Sequence, residues 1–378
     1  MSNGIPLTDI LVAIGTRPEA IKMAPVMFAL RAQPWARVRV LLTAQHRELL
    51  DQTLALFRIA ADVDLDLMRP GQTLADLTGR MVPAIDQVLA AETPHLVLAQ
   101  GDTTTVMVAA LACFYRHIAF GHVEAGLRTE SKHEPFPEEM NRRLVGRMAD
   151  LHFSPTEQAR QNLLAEGVAE GSVLLAGNTV IDALLWTASR VDASRFAPRD
   201  GRRLVLVTAH RRENFGDRME QLCHALLDLV QAREVEILFP VHPNPNVRAA
   251  VDRHLRGNPR IRLVDPLDYA EFVAAMRASY LILTDSGGVQ EEAPSLGKPV
   301  LVLREQTERP EGIAAGTARL VGCNRERILR ESLALLDDDA RYQEMAQRRN
   351  PYGDGQAAGR ICEAIARWRT GGDASATR

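Results

Sequence analysis

Short β-branched runs alternate with longer stretches of helical periodicity along almost the whole chain. In the first half, apolar runs at 9–15, 38–44, 95–100, 118–123, 151–154 and 173–176 predict strands. In the second half the corresponding runs are 204–208, 236–241, 261–264, 281–284, 300–303 and 319–321. Amphipathic stretches at 19–33, 74–91, 138–148, 221–233 and 269–278 predict helices between them. Strands separated by helices of this length are βα units, and parallel sheets covered by helices follow. Two such series, each filling about half the chain, predict an α/β protein of two Rossmann-like domains. The boundary is expected within 189–203, where Arg, Asp, Ser and Pro accumulate and the periodicity fades, giving domains at 1–190 and 191–378. A last helical pattern at 357–369 is free to pack back on the first domain.

Composition narrows the function classes. The chain has 378 residues, 46% hydrophobic and 25% charged, with 45 Lys+Arg against 48 Asp+Glu for a formal charge of −3. So even a balance gives no electrostatic reason for a nucleic-acid or membrane-surface partner. Aromatic residues at 5% also disfavour base-stacking platforms. Cys113, Cys223, Cys323 and Cys362 lie tens of residues apart, which suits neither a disulfide framework nor a zinc knuckle. The first apolar run, 10–14, is too short for a signal peptide, and the longest, 106–115, is about half a membrane span. A soluble, cytoplasmic protein is expected.

In open α/β sheets ligands bind beyond the carboxyl ends of the strands. Here those positions are polar almost throughout. Arg17 and Lys22 flank the exit of the first run, and Gln45 and His46 follow the second. Asp102 follows Gln100-Gly101, Glu124 follows 118–123, and Glu138 opens a helical stretch. The second half adds His210 with Arg211 and Arg212, then His242, the string Thr284-Asp285-Ser286-Gly287-Gly288, and Arg304 to Glu311. A structural protein has no need of such punctuation, and the series predicts an enzyme cleft between two domains.

Each piece also has a plainer reading. Ser286 could be an N-cap and its glycines a tight turn. They could instead let a diphosphate approach bare N–H groups at a helix start, with Glu292 one turn on to accept ribose hydroxyls. Pro294 predicts that this helix ends early or kinks. Asp102 could cap the helix that follows, Glu138 and Glu139 could line a solvated first turn, and Arg17-Pro18 could simply start a helix. Converging carboxylates, by contrast, suit acid–base chemistry. Asp64-Leu65-Asp66 has the spacing of a metal-binding pair but no supporting ligands. No GxGxxG follows a strand, and Walker, HExxH and GxSxG motifs are absent.

Taken together, the strings GTRPEAIKMAP (15–25), TAQHRELLD (43–51), GDTTTV (101–106), GHVEAGLRT (121–129), PFPEEMNRR (135–143), TAHRREN (208–214), PVHPNPNV (240–247) and TDSGGVQEEAPSLGKPVLVLREQTERPE (284–311) resemble the non-hydrolysing UDP-N-acetylglucosamine 2-epimerases. FSPTEQARQNLL (153–164) and GNTVIDALL (177–185) belong to the same series, which keeps its order from about residue 11 to 356. The resemblance implies the GT-B architecture, with the active site in the cleft between two Rossmann-like domains. It implies interconversion of UDP-GlcNAc and UDP-N-acetylmannosamine through a 2-acetamidoglucal, with no cofactor and no metal.

By the same resemblance Asp102, Glu124, Glu138 and His210 are catalytic. Arg17, Lys22, Ser286, Gly287, Gly288, Glu292 and Arg309 match nucleotide-binding positions, with Gln290 a neighbour. Gln45, His46, Arg211 and His242, together with Glu138, resemble contacts to a second UDP-GlcNAc bound as activator. A homodimer is also implied. Gln100 departs from the His that such enzymes often carry before Gly-Asp. The rivals are a hydrolysing 2-epimerase, whose Gly-Asp-Arg is here Gly101-Asp102-Thr103, and a 2-epimerase of a UDP-diacetamido-uronic acid. A GT-B glycosyltransferase and a non-catalytic nucleotide-sugar sensor are more distant alternatives.

Overall fold

Ile10 to Ile14 are buried without exception, as a central strand of a helix-covered parallel sheet requires. The computed structural model describes residues 7–43 and 47–371. Its first sheet comprises β1 (Thr8–Ile14), β2 (Ala36–Leu42), β3 (Val63–Asp64), β4 (Leu96–Gln100), β5 (Ala119–Val123), β6 (Leu151–Ser154) and β7 (Val173–Leu175). All pairings are parallel and the order is β3-β2-β1-β4-β5-β6-β7. The second sheet comprises β8 (Arg203–Thr208), β9 (Val235–Pro240), β10 (Ile261–Val264), β11 (Leu281–Thr284), β12 (Val300–Val302) and β13 (Ala318–Leu320), ordered β10-β9-β8-β11-β12-β13. These are two Rossmann-like domains of the GT-B class, as expected from the strand pattern.

One strand escapes the sequence reading. β3 is two residues long, too short to show any periodicity, and exists because Val63 and Asp64 pair with Leu41 and Leu42 at the sheet edge. The helices start where capping chemistry puts them. Thr16 and Glu19 form a reciprocal capping box on Arg17–Arg31, as Asp268 and Glu271 do on Tyr269–Ala278.

The chain divides into two compact units, Met1–Ala183 with Gly353–Arg378, and Leu184–Tyr352. In the first, Leu11, Leu41, Met81, Val97 and Phe120 share a core beneath the sheet. In the second, Val205, Leu226, Ile237, Phe239 and Leu283 do the same. The last helix, Ala357–Arg369, packs on Arg17–Arg31 in the first unit. Its otherwise unsatisfied N-terminal N–H groups are met by Asp182, which accepts from Ala357 N at 3.2 Å and Ala358 N at 2.9 Å. Among the described residues no helix is long and apolar enough to cross a membrane.

Candidate active site

In each sheet the strand order reverses between two central neighbours, β1 and β4 in one unit, β8 and β11 in the other. The loops leaving those strands diverge there and leave a crevice. Both crevices are built from charged and hydroxyl side chains.

In the first unit, Gly15 ends β1 against Thr43 and Thr105, whose hydroxyls are 2.8 Å apart. A Cβ at residue 15 would lie 2.2 Å from the Thr105 Oγ1, so only glycine fits. Glu19 is buried beneath this turn and stitches it to the loop after β4. Its carboxylate accepts from Gly15 N, from Thr16 N at 3.0 Å and from the Thr103 hydroxyl at 2.6 Å. Burial pushes its carboxyl up to about 7, against those hydrogen bonds.

Asp102 does not cap the following helix, Thr104–Arg116; Thr103 is the N-cap. The Asp102 carboxylate instead meets the Arg142 guanidinium at 2.7 Å. The neighbouring Asn141 amide donates to the Asp102 carbonyl at 2.8 Å. Behind the turn, His122 Nε2 lies 2.7 Å from the Gly101 carbonyl, and burial pushes the His122 pKa down to about 3, which keeps the ring neutral. Glu139 is fully buried and not part of a solvated turn: it accepts from Thr129 N at 3.1 Å, Arg142 at 3.2 Å and Arg143 at 2.9 Å. Glu124 leaves β5 with φ of 65°, a conformation non-glycine residues adopt at a cost. Its carboxylate pairs with Lys22 and accepts from the Gln100 amide at 3.0 Å.

In the second unit the buried Asp285 carboxylate gathers the loop after β8. It accepts from His210 N and Arg211 N, both at 2.8 Å, and from the Asn214 amide at 3.0 Å. The His210 ring sits beside it, Nδ1 3.0 Å from Oδ1, and stacks on His242 with centroids 6.0 Å apart. Burial alone would raise the Asp285 pKa; the His210 ring and the two backbone N–H groups outweigh it and hold the carboxyl below its ordinary range.

Ser286 stands at the N-cap of the short helix Gly287–Glu292 without using its side chain to cap. Neither Gly287 nor Gly288 has a positive φ, so no tight turn demands them. A Cβ at residue 287 would come no closer than 3.5 Å to the Arg309 guanidinium, an ordinary contact. The fold does not require these glycines, which leaves a bare backbone with room over it. Pro294 ends the helix at residue 292, followed by a 3-10 turn, as expected.

Arg309 pairs with Glu291. Its turn is tied down by Thr307, which accepts from Arg309 N at 3.1 Å and donates to Gln290 at 2.7 Å. Glu292 accepts from the Tyr269 hydroxyl at 2.9 Å. Glu308 takes two bonds from the Arg304 guanidinium at 3.2 Å and lies 3.7 Å from Arg211. Among the described residues no cluster of three His, Cys, Asp or Glu is arranged to hold a metal ion.

The sequence profile of the UDP-N-acetylglucosamine 2-epimerase family matches residues 28–366. The chain belongs to that family. The UDP-N-acetylglucosamine 2-epimerase of Escherichia coli K12 is 51% identical over 368 residues, covering 94% of this chain and 98% of that one. That of Bacillus subtilis 168 is 48% identical, covering 94% of each. The crystal structure of the Neisseria meningitidis UDP-GlcNAc 2-epimerase bound to UDP-GlcNAc superposes with a TM-score of 0.85 at 44% identity, over 95% of this chain and all (100%) of that one.

Within this epimerase-family chain, Lys22 and Glu124 are brought together, and so are His210 and His242. Asp102 forms no hydrogen bond or ion pair with Glu124 or Glu138 among the described residues; its partner is Arg142. Glu138 is half-buried in the first turn of Glu138–Met148. Arg17 opens its helix, half-buried, with no described residue bonded to its guanidinium. Gln45 and His46 lie outside the described residues.

Glu19, Glu139, Arg142 and Asp285 escaped the sequence reading of the site, and Gln100 entered it only as a departure from a His common before Gly-Asp. Thr16-x-x-Glu19 carries the signature of a capping box, and Glu139-x-x-Arg142 looks like a surface helix pair. Asp285 was visible only as the residue between an apolar run and Ser-Gly-Gly.

Proposed function

We propose that the protein interconverts UDP-GlcNAc and UDP-N-acetylmannosamine by eliminating and re-adding UDP, without hydrolysis and without a cofactor. The observation that carries this reading is the pair of unlike crevices at matching topological positions. One is rich in carboxylates. The other offers His210, Arg309 and the bare backbone of 286–288. The reading assigns most contacts to the uridine diphosphate to the second set and the sugar to the first. Family membership and the liganded meningococcal relative support the substrate.

The chemistry explains why such groups are needed. C1 of the sugar is a glycosyl phosphate, so no neighbouring carbonyl acidifies the C2 proton. Expulsion of UDP carries the C1–O electron pair onto the phosphate. A base takes the C2 proton, and the C–H pair becomes the C1=C2 bond of 2-acetamidoglucal. In return, a UDP oxygen attacks C1 and a proton arrives on the opposite face of C2. No atom is lost and no oxidant is consumed.

Asp102 and Glu138 are the proton-transfer groups in this scheme, with Arg142 holding Asp102 in place. Glu124, fixed by Lys22 and Gln100, orients them, and His210 steadies the departing diphosphate. Arg17, Lys22, Ser286, Gly287, Gly288, Gln290, Glu292 and Arg309 form the nucleotide set, in which Gln290 acts by fixing the Arg309 turn. A second UDP-GlcNAc acts as activator through Gln45, His46, Arg211 and His242. The stacking of His242 on His210 supports such a link.

We assign a homodimer on the exposed Phe114, Tyr115, Met140 and Leu144, carried by two helices packed against each other. Four buried, free cysteines support a cytoplasmic site of action.

The test is incubation with UDP-GlcNAc in D₂O, without NAD or metal, followed by proton NMR. UDP-N-acetylmannosamine with deuterium at C2 is the expected product, with traces of glucal and UDP. Free N-acetylmannosamine would make the enzyme hydrolysing. An unchanged spectrum with demonstrable binding would move the substrate to a diacetamido-uronate or leave only a sensor.

A further inference from the structure

We propose that Asp285 is the positioning residue for His210, holding the imidazole by Nδ1 so that Nε2 is the nitrogen presented to the diphosphate. The inference rests on the assignment of His210 made above. Asp285 has no solvent exposure, whereas the His210 side chain keeps 41% of its own. One carboxylate oxygen, Oδ2, is saturated by His210 N, Arg211 N and the Asn214 amide. The other, Oδ1, is buried and has no well-formed hydrogen bond among the described residues, while His210 Nδ1 lies 3.0 Å from it.

A buried carboxylate oxygen without a donor is costly, so the proton of a neutral His210 belongs on Nδ1. Nε2 is then the outward nitrogen. It is bare in the neutral ring and a donor in the imidazolium. The position of the carboxylate is itself fixed from behind. Asn214 also donates to the Leu303 carbonyl at 3.1 Å and accepts from Cys323 Sγ at 3.2 Å. The stacked His242 ring limits rotation of the imidazole. Asp285 therefore touches no substrate; it acts through the ring.

The experiment is ¹⁵N NMR of the imidazole nitrogens in the unliganded, histidine-labelled enzyme, with His210 identified by its loss in His210→Ala. The neutral ring is expected as the Nδ1–H tautomer. In Asp285→Asn the amide N–H faces the ring and turns it to the Nε2–H tautomer. Turnover falls by roughly 10²–10⁴-fold with KM changed little, the behaviour of a ring held in the wrong tautomer. In a His210→Ala background the same Asp285→Asn change costs less than about twofold, because its effect is already gone. An Nε2–H tautomer in the wild type, a tautomer indifferent to Asp285→Asn, or losses that multiply in the double variant would each overturn the proposal. Normal turnover in His210→Ala would remove His210 from the reaction, and the tautomer spectra would still judge Asp285. If Asp285→Asn fails to fold, the wild-type spectrum alone decides.

Discussion

Glu19 and Asp285 stand on opposite sides of corresponding crevices, Glu19 in the helix after β1 and Asp285 directly after β11. Each is a buried carboxylate that binds the loop after the first central strand to a segment on the other side of the crevice. Their electrostatic fates are opposite. Glu19 collects two backbone N–H groups and a hydroxyl, none of them charged, and burial wins: its carboxyl rises to about 7. Asp285 collects two backbone N–H groups, an amide and an ionisable ring, and those donors win against burial. The lesson is that the donor set decides whether a buried carboxylate titrates near neutrality or stays a lasting anion. In the first unit Asp102 and Glu124 instead pair each with its own cation, Arg142 and Lys22. The second unit uses its buried anion directly, to hold a histidine.

The largest expected effect separates the two crevices by chemistry. Asp102→Asn keeps the shape of the Arg142 contact and removes the proton-accepting group. Its kcat should fall by roughly 10²–10⁴-fold. Near-normal turnover with intact stability would take Asp102 out of proton transfer.

Next comes the contrast in pH linkage. The Glu19 carboxyl lies at about 7 in the fold against its ordinary 4.5. Its stabilising contribution is therefore full below pH 4.5 and is lost as pH rises through 7, a change of ~3 kcal/mol. Glu19→Gln does not titrate. Denaturant unfolding should show its stability gaining on the wild type by that amount between pH 4.5 and 8. A constant difference would mean that Glu19 is ionised throughout. Asp285, with a lowered pKa, has the reverse sign: its contribution is present above pH 4 and is lost in acid. His122 and His152, both buried and pushed down to about 3 and about 4, add to the loss in acid, which is why the wild-type difference is the quantity to read.

Two glycine substitutions sharpen the same contrast. Gly15→Ala drives a methyl into Thr43 and Thr105 and should destabilise by ~1–3 kcal/mol, read as a lowered melting temperature. Gly287→Ala meets only ordinary contacts and should change stability by less than ~0.5 kcal/mol. Its effect belongs to binding, with calorimetric UDP affinity falling about tenfold, the worth of one backbone hydrogen bond to a charged group. A destabilised Gly287→Ala, or one with unchanged affinity, would return that glycine to the fold.

The architecture was legible because parallel strands covered by helices leave continuous apolar runs, and those at 204–208 and 281–284 match β8 and β11 almost residue for residue. β3 was not, since a two-residue edge strand is made by its neighbour β2 and not by its own sequence. The same distinction governs the site. Asp102 and His210 stand at strand exits, where topology alone makes a polar residue significant. Arg142 lies inside a helix, and its role exists only because the fold carries that helix to Asp102. Glu19 was hidden by doing two things at once, completing a capping box and reaching Thr103, a contact between residues 84 positions apart.

The docking of Ala357–Arg369 on the first unit has a consequence for synthesis. Cys362 reaches the Ala29 carbonyl, and the Arg369 guanidinium lies over the Trp35 ring at 5.2 Å. A chain emerging from the ribosome has made residues 1–183 long before it makes these partners. At about 5–20 residues per second, the segment 184–352 keeps them apart for roughly 10–30 s. Throughout that interval the surface of Arg17–Arg31 that receives the last helix is uncovered, and Asp182 has no helix end to cap. The first unit to be translated is thus the last to be finished, and a ribosome that stops short of residue 357 releases a chain whose opening half is incomplete.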